Sequence, residues 1–176
     1  MGQIILVTGG VRSGKSAFAE HYAAHCAASG AQVAYIATAQ VYDTEMQQRV
    51  DLHQARRPAN WSTYEAPFFS ENAIRAAGKS HGVILFDCIT MFLSNDMLQY
   101  PEDEQERDSF VLHVEERIHA LIQAAEEVDA TTIFVTNEVG SGIVPEHRLG
   151  RLYRDMAGLA NQQIARSAIE VYLVTC

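Results

Sequence analysis

The sequence predicts one α/β domain built on a mostly parallel sheet. Apolar runs alternate along the 176 residues with amphipathic segments, the pattern of repeated β–α units. Most of these runs are continuously hydrophobic, as strands covered on both faces must be. The first run, Ile4-Ile5-Leu6-Val7, feeds Gly9-Gly10-Val11-Arg12-Ser13-Gly14-Lys15-Ser16 and then the helix-forming Ala17-Phe18-Ala19-Glu20, the strand–loop–helix order in which GxxxxGK(S/T) has meaning.

In chain order, strands are expected at 3–8, 32–37, 82–87, 131–136 and 169–174, with a short one near 62–65. Helices are expected at 15–29, 43–55, 69–78, 90–99, 104–128 and 148–167. The charge run Pro101–Asp108 reads as a loop entering a helix, where the dipole favours carboxylates. No repeat, low-complexity tract or linker divides the chain, so residues 1–176 are taken as a single unit.

Composition narrows the function classes. Apolar residues make up 48% and charged residues 20%, the balance of a globular domain. A net charge of -9 argues against nucleic acid as a partner. Three cysteines, Cys26, Cys88 and Cys176, are odd in number and lack metal-ligand spacing, which predicts a reduced, cytoplasmic protein. No charged leader or membrane-length apolar stretch is present, so neither export nor a membrane span is expected.

The glycine-rich loop carries the first chemistry. Its glycines let successive backbone N–H groups and the positive end of the following helix face a polyphosphate. Lys15 would reach the β- and γ-phosphates, and the Ser16 hydroxyl would be a ligand for Mg²⁺. The chain therefore binds a nucleoside triphosphate. Asp87 ends an apolar run, and in such proteins a carboxylate at the end of a neighbouring strand holds the metal directly or through water; a lone Asp at a strand end is also common.

Three further segments invite chemistry. Residues 49–61 place His53, Arg56, Arg57 and Trp61 around a helix end broken by Pro58. A neutral imidazole there can attack phosphorus while arginines steady the phosphate; alternatively, this is a surface helix with a basic end. The polar, glycine-rich run Thr136–Pro145 follows a buried strand, at the sheet end where ligands of α/β folds lie, and would sense a γ-phosphate or touch a second substrate. Arg148, Arg151 and Arg154 recur at helical spacing, either as a phosphate-facing stripe or, the more usual outcome, as a salt-bridged solvated face. His21, His25, His81, His113, His119 and His147 show no convincing zinc spacing and read as structural.

Together these blocks resemble a known family. The loop 9–16, then Tyr35-Ile36-Ala37-Thr38-Ala39, Glu45-Met46, Arg49, His53, Arg57-Pro58 and Trp61 match its first half. Asp87-Cys88-Ile89-Thr90, Val135-Thr136-Asn137-Glu138-Val139-Gly140, Ile143-Val144-Pro145, Arg154-Asp155-Met156-Ala157-Gly158 and Asn161-Gln162 continue it. The chain is similar, from residue 3 to about 174, to the bifunctional adenosylcobinamide kinase / adenosylcobinamide-phosphate guanylyltransferases of cobalamin biosynthesis. The histidine–Arg-Pro–Trp block and Thr-Asn-Glu-Val-Gly carry the specificity of the match.

The resemblance implies a three-layer, RecA-like P-loop NTPase fold, assembled as a homotrimer. It implies phosphorylation of adenosylcobinamide, then GMP transfer from GTP to adenosylcobinamide phosphate. GTP and Mg²⁺ follow as cofactors, with ATP a possible donor for the kinase step. His53 matches the histidine that takes GMP covalently, while Ala37, Thr38, Ala39, Gln54, Ala55, Arg56, Arg57, Glu65 and Asp87 match nucleotide-site positions. The family usually continues past its last strand with a glycine-containing tail, whereas this sequence ends at Thr175-Cys176. The competing readings are a P-loop small-molecule kinase without guanylyl transfer and a RecA-like nucleotide-dependent switch ATPase.

Overall fold

Six strands form one sheet in the order β3-β2-β4-β5-β1-β6, and all pairings are parallel. The structure is a computed structural model that describes residues 2–40, 44–100 and 107–176; the side chains of Ser29, Glu45, Met46, Arg49, Leu52, His53, Arg56, Arg107 and Asp108 fall outside that description. The strands are β1 (Gln3–Gly9), β2 (Val33–Ala37), β3 (Ser62–Glu65), β4 (Val83–Asp87), β5 (Thr131–Asn137) and β6 (Glu170–Val174). The helices are α1 (Lys15–Cys26), α2 (Thr44–Arg56), α3 (Ser70–Ala77), α4 (Ile89–Gln99), α5 (Arg107–Glu127) and α6 (Arg148–Ser167).

Alternation along each strand divides the core into two layers. Ile5, Val7, Val33, Tyr35, Val83, Leu85, Ile133 and Val135 face α1, whose Ala19 and Ala23 are fully buried and let the helix lie close to the sheet. Ile4, Leu6, Ile36, Ile84, Phe86 and Phe134 face the opposite layer of α3 to α6. The result is a three-layer α/β architecture with a wholly parallel sheet, in agreement with the predicted fold class. Burial of the four central strands on both faces explains why their sequences read as unbroken apolar runs.

Boundaries differ from the sequence reading by few residues, for local reasons. The first helix stops at Cys26 and finishes as a 3₁₀ turn over Ala27–Ser29, because Gly30 adopts φ +96° and turns the chain out. β5 runs one residue further than expected, because Asn137 still pairs with Gly9. The start predicted for the second helix at 43, and most of the charge run at 101–108, lie outside the described residues.

One expectation needs correction. The Asp87 strand is not the neighbour of the P-loop strand, since β5 lies between β4 and β1. The first crossover carries the chain from β1 past two sheet positions to β2, and β4 and β5 fill that gap later. Consequently Gly9 pairs with Asn137 and Asp87 with Val135, so the ends of three adjacent strands meet at one carboxyl edge.

Candidate active site

The loop after β1 is built for an anion. Gly14 sits at φ +87°, a conformation that glycine adopts without a Cβ penalty, and caps the start of α1. Gly9 is required by close approach, because a Cβ there would lie 2.3 Å from the Val174 carbonyl oxygen. Ser13 donates its backbone N–H to the Gly10 carbonyl at 3.3 Å, which closes the loop. Its hydroxyl is buried without a hydrogen-bond partner, an orphan polar atom of the kind a bound ligand satisfies. Lys15 folds back over the loop and donates from Nζ to the Gly10 carbonyl at 3.1 Å. Val11 and Arg12 crown the loop in solvent.

Asp87 is half-buried at the end of β4. The carboxylate is held from behind. Tyr35, buried in β2, donates its phenol to Asp87 Oδ2 at 2.7 Å. Burial first, and the Asp87 charge second, push that phenol's pKa up, so it remains a donor. Arg57 follows the end of α2 and lies with its Cζ 3.3 Å from the centre of the Tyr35 ring. The Arg57 Nε and Nη1 atoms are buried without hydrogen-bond partners. Ser16 and Asp87 are hard oxygen donors suited to Mg²⁺, and among the described residues no cluster of three or more His, Cys, Asp or Glu competes for a metal.

Polar residues behind the strand ends lock this edge together. Thr38 accepts the Cys88 N–H and donates to the Cys88 carbonyl, each at 2.8 Å, while Asn95 donates to the Thr38 carbonyl at 2.7 Å. Asn137 donates to Thr90 Oγ1 at 2.8 Å, and Tyr153 of α6 donates to the Thr90 carbonyl at 2.9 Å. Burial, then the neighbouring Asp87 charge, raises the Cys88 thiol to about 11. A thiol reagent at neutral pH should therefore modify the exposed Cys176 while Cys88 stays protonated in the folded protein. Mass mapping of the labelled peptides checks this, and native labelling of Cys88 would contradict it.

The sequence-predicted residues are distributed around this centre. Gly9 to Ser16, Ala37, Thr38, Ala39 and Asp87 all lie at the carboxyl edge of β1, β2 and β4 or directly beyond it. Glu65 ends β3 in register with Ala37 and is exposed. Gln54 and Ala55 are exposed on the last turn of α2. His53 and Arg56 belong to that helix by backbone, and their side chains lie outside the described set.

Two of the three stripe arginines of α6, Arg151 and Arg154, are held by backbone rather than by carboxylates. Arg151 donates to the Pro145 and Glu146 carbonyls and Arg154 to those of Gly140 and Gly142, so both grip the loop after β5. That loop has few backbone partners of its own, and the guanidinium forks supply them. Glu138 joins the same loop by accepting the Ser141 and Gly140 N–H groups; the Ser141 side chain first, and these backbone donors after it, lower its pKa. Of the histidines read as structural, His81 bonds Ser62 and the Ala77 carbonyl and His113 bonds Asp96, whereas His21, His25, His119 and His147 are exposed. Sequence reasoning missed Tyr35 as a support for Asp87; a phenol amid small aliphatic residues of a buried strand was the available signal.

A family model described as cobinamide kinase / cobinamide phosphate guanyltransferase matches residues 5–176. The bifunctional adenosylcobalamin biosynthesis protein CobU of Escherichia coli K12 is 41% identical over 175 residues, covering 97% of this chain and 94% of that protein. CobU of Salmonella typhimurium is 42% identical with the same coverage, and CobP of Pseudomonas aeruginosa is 42% identical over 160 residues, covering 91% and 86%. Among solved structures, a KaiC-like protein from Pyrococcus horikoshii aligns at a TM-score of 0.47 and 16% identity over 89% of this chain and 68% of its own, too slight a likeness to carry an argument.

Proposed function

Because this chain belongs to the cobinamide kinase / cobinamide phosphate guanyltransferase family of transferases, we propose that it phosphorylates adenosylcobinamide and then transfers GMP from GTP to the product through His53. In the first reaction the corrinoid hydroxyl attacks the γ-phosphorus and the nucleoside diphosphate leaves. In the second, a His53 ring nitrogen attacks the α-phosphorus of GTP and pyrophosphate leaves. A phosphate oxygen of adenosylcobinamide phosphate then displaces His53 and forms the product.

The observation that carries this reading is the Arg57–Tyr35–Asp87 contact. It ties the end of α2, one helical turn after His53, to the carboxylate beside the P-loop. Lys15 and the loop N–H groups hold the triphosphate, and the unpartnered edge of Arg57 suits a phosphate oxygen. Ser16 and Asp87 would hold Mg²⁺, which shields phosphate charge when bound. The protein acts in the cytoplasm as a homotrimer, and among the described residues no helix is long and apolar enough to cross a membrane.

Intact mass spectrometry after incubation with GTP alone tests the reading. One added GMP is expected; no adduct, with corrinoid phosphorylated in a parallel incubation that includes it, leaves a plain kinase, and neither adduct nor phosphorylated corrinoid leaves a switch ATPase.

Metal dependence checks the Asp87 assignment. Asp87→Asn should sharply raise the magnesium concentration needed for half-maximal rate. Tyr35→Phe keeps the ring beneath Arg57 yet removes the hydrogen bond, so it should shift the same titration in the same direction by less. An unchanged titration in Asp87→Asn would move the metal role to another carboxylate, with Glu138 the first candidate.

A further inference from the structure

The arginine stripe of α6 and the loop it grips border an open cavity of about 430 Å³, lined by three arginines and one carboxylate: Val144, Arg148, Arg151, Leu152, Arg154 and Asp155. No part of the nucleotide assignment uses it. Its volume falls within the range of small-ligand pockets, about 300–1,000 Å³. Val144 of its lining is 63% exposed, and next to lining residues in the chain Ile143 is 97% and Leu149 47% exposed. Such a run of bare aliphatic side chains beside a basic cavity departs from an otherwise acidic protein, in which three of thirteen basic residues stand on this one stripe.

Its place in the fold matters as much as its lining. The loop is rooted at Asn137, which pairs with Gly9, and Glu138 donates its N–H to the Gly9 carbonyl at 3.0 Å. On the other side Tyr153, next to Leu152 and Arg154, bonds the Thr90 carbonyl three residues beyond Asp87. The cavity therefore flanks the sheet edge where the triphosphate would sit.

We propose that this cavity takes the phosphate-bearing arm of the corrinoid substrate, with Ile143 and Val144 resting against the corrin periphery. The proposal rests on the function given above and adds where that substrate sits. Charge and polarity fit one occupant. A guanidinium fork suits phosphate, and its five N–H donors allow Arg151 and Arg154 to hold loop carbonyls and still face an anion. A corrin ring is too large for the cavity but offers apolar edges to an exposed aliphatic rim.

Equilibrium dialysis, read by corrin absorbance, tests it with cobinamide and cobinamide phosphate as probes. Wild-type protein should bind the phosphate form more tightly, with salt narrowing the gap. The double variant Ile143→Asp, Val144→Asp puts carboxylates on the rim and leaves the core untouched. It should melt at the wild-type temperature and bind both corrinoids more weakly by about tenfold or more. Unchanged affinity in the variant, or no binding of either corrinoid by wild type, overturns the proposal. So does a change of assembly mass in the variant, because the face is then a subunit contact. Loss of the functional reading shows separately, as wild-type protein that gains no GMP from GTP.

Discussion

Lys15→Ala should abolish phosphorylation of the corrinoid and formation of the GMP adduct, while the folded protein remains intact. The Lys15 ammonium has its recorded hydrogen bond within its own loop, to the Gly10 carbonyl, and contributes nothing to either core layer. Alanine is also the best helix former for the first position of α1. The loss therefore falls on chemistry. Negative charge moves onto the leaving phosphate oxygens in both reactions, and a fixed cation beside them stabilises it. One such electrostatic contact is typically worth about 3–4 kcal/mol, or about 10²–10³-fold in rate. Turnover by each assay, with circular dichroism to confirm folding, measures it. Full activity in a folded Lys15→Ala protein would remove the P-loop from the mechanism.

The sheet was largely legible because its strands are buried on both faces. Residues such as Ile84, Leu85 and Phe86 have no solvent side to mark with a polar residue, so a run of apolar letters translates directly into a central parallel strand. Strand order was less legible. The phrase "apolar run ending in Asp" says that Asp87 terminates a strand, but nothing local says that β5 will occupy the place between it and β1. That order is decided by how crossovers fill the sheet, a property of the whole chain.

Site residues divide along the same line. Gly9 and Gly14 announce themselves, because one backbone approach and one left-handed φ admit no side chain comfortably. Tyr35 does not. Its role depends on Asp87, fifty-two residues away, and on Arg57 reaching the same ring. Arg151 and Arg154 were visible as part of a stripe, but their partners proved to be backbone carbonyls, which carry no signature in the sequence. Contacts to side chains leave paired letters in a sequence; contacts to a neighbouring loop's backbone leave only one.

The sharpest expected result concerns His53, because it separates guanylyl transfer from simple phosphorylation. His53→Ala should form no GMP adduct and make no guanylylated corrinoid, yet should still phosphorylate the corrinoid. The kinase step is an in-line attack on the γ-phosphorus and needs no covalent intermediate, whereas the transferase step splits one displacement into two at the imidazole. The wild-type adduct should carry label from the α-phosphate and from guanine, and none from the γ-phosphate. As a phosphoramidate it should survive alkali and be lost in mild acid, which distinguishes it from an ester to serine or threonine. Arg57 gives a second arm to the same test. Its guanidinium stacks on Tyr35 near residue 53, so Arg57→Ala should slow adduct formation while leaving His53 able to react. An adduct that persists in His53→Ala, or one that alkali removes, would assign the nucleophile to another residue.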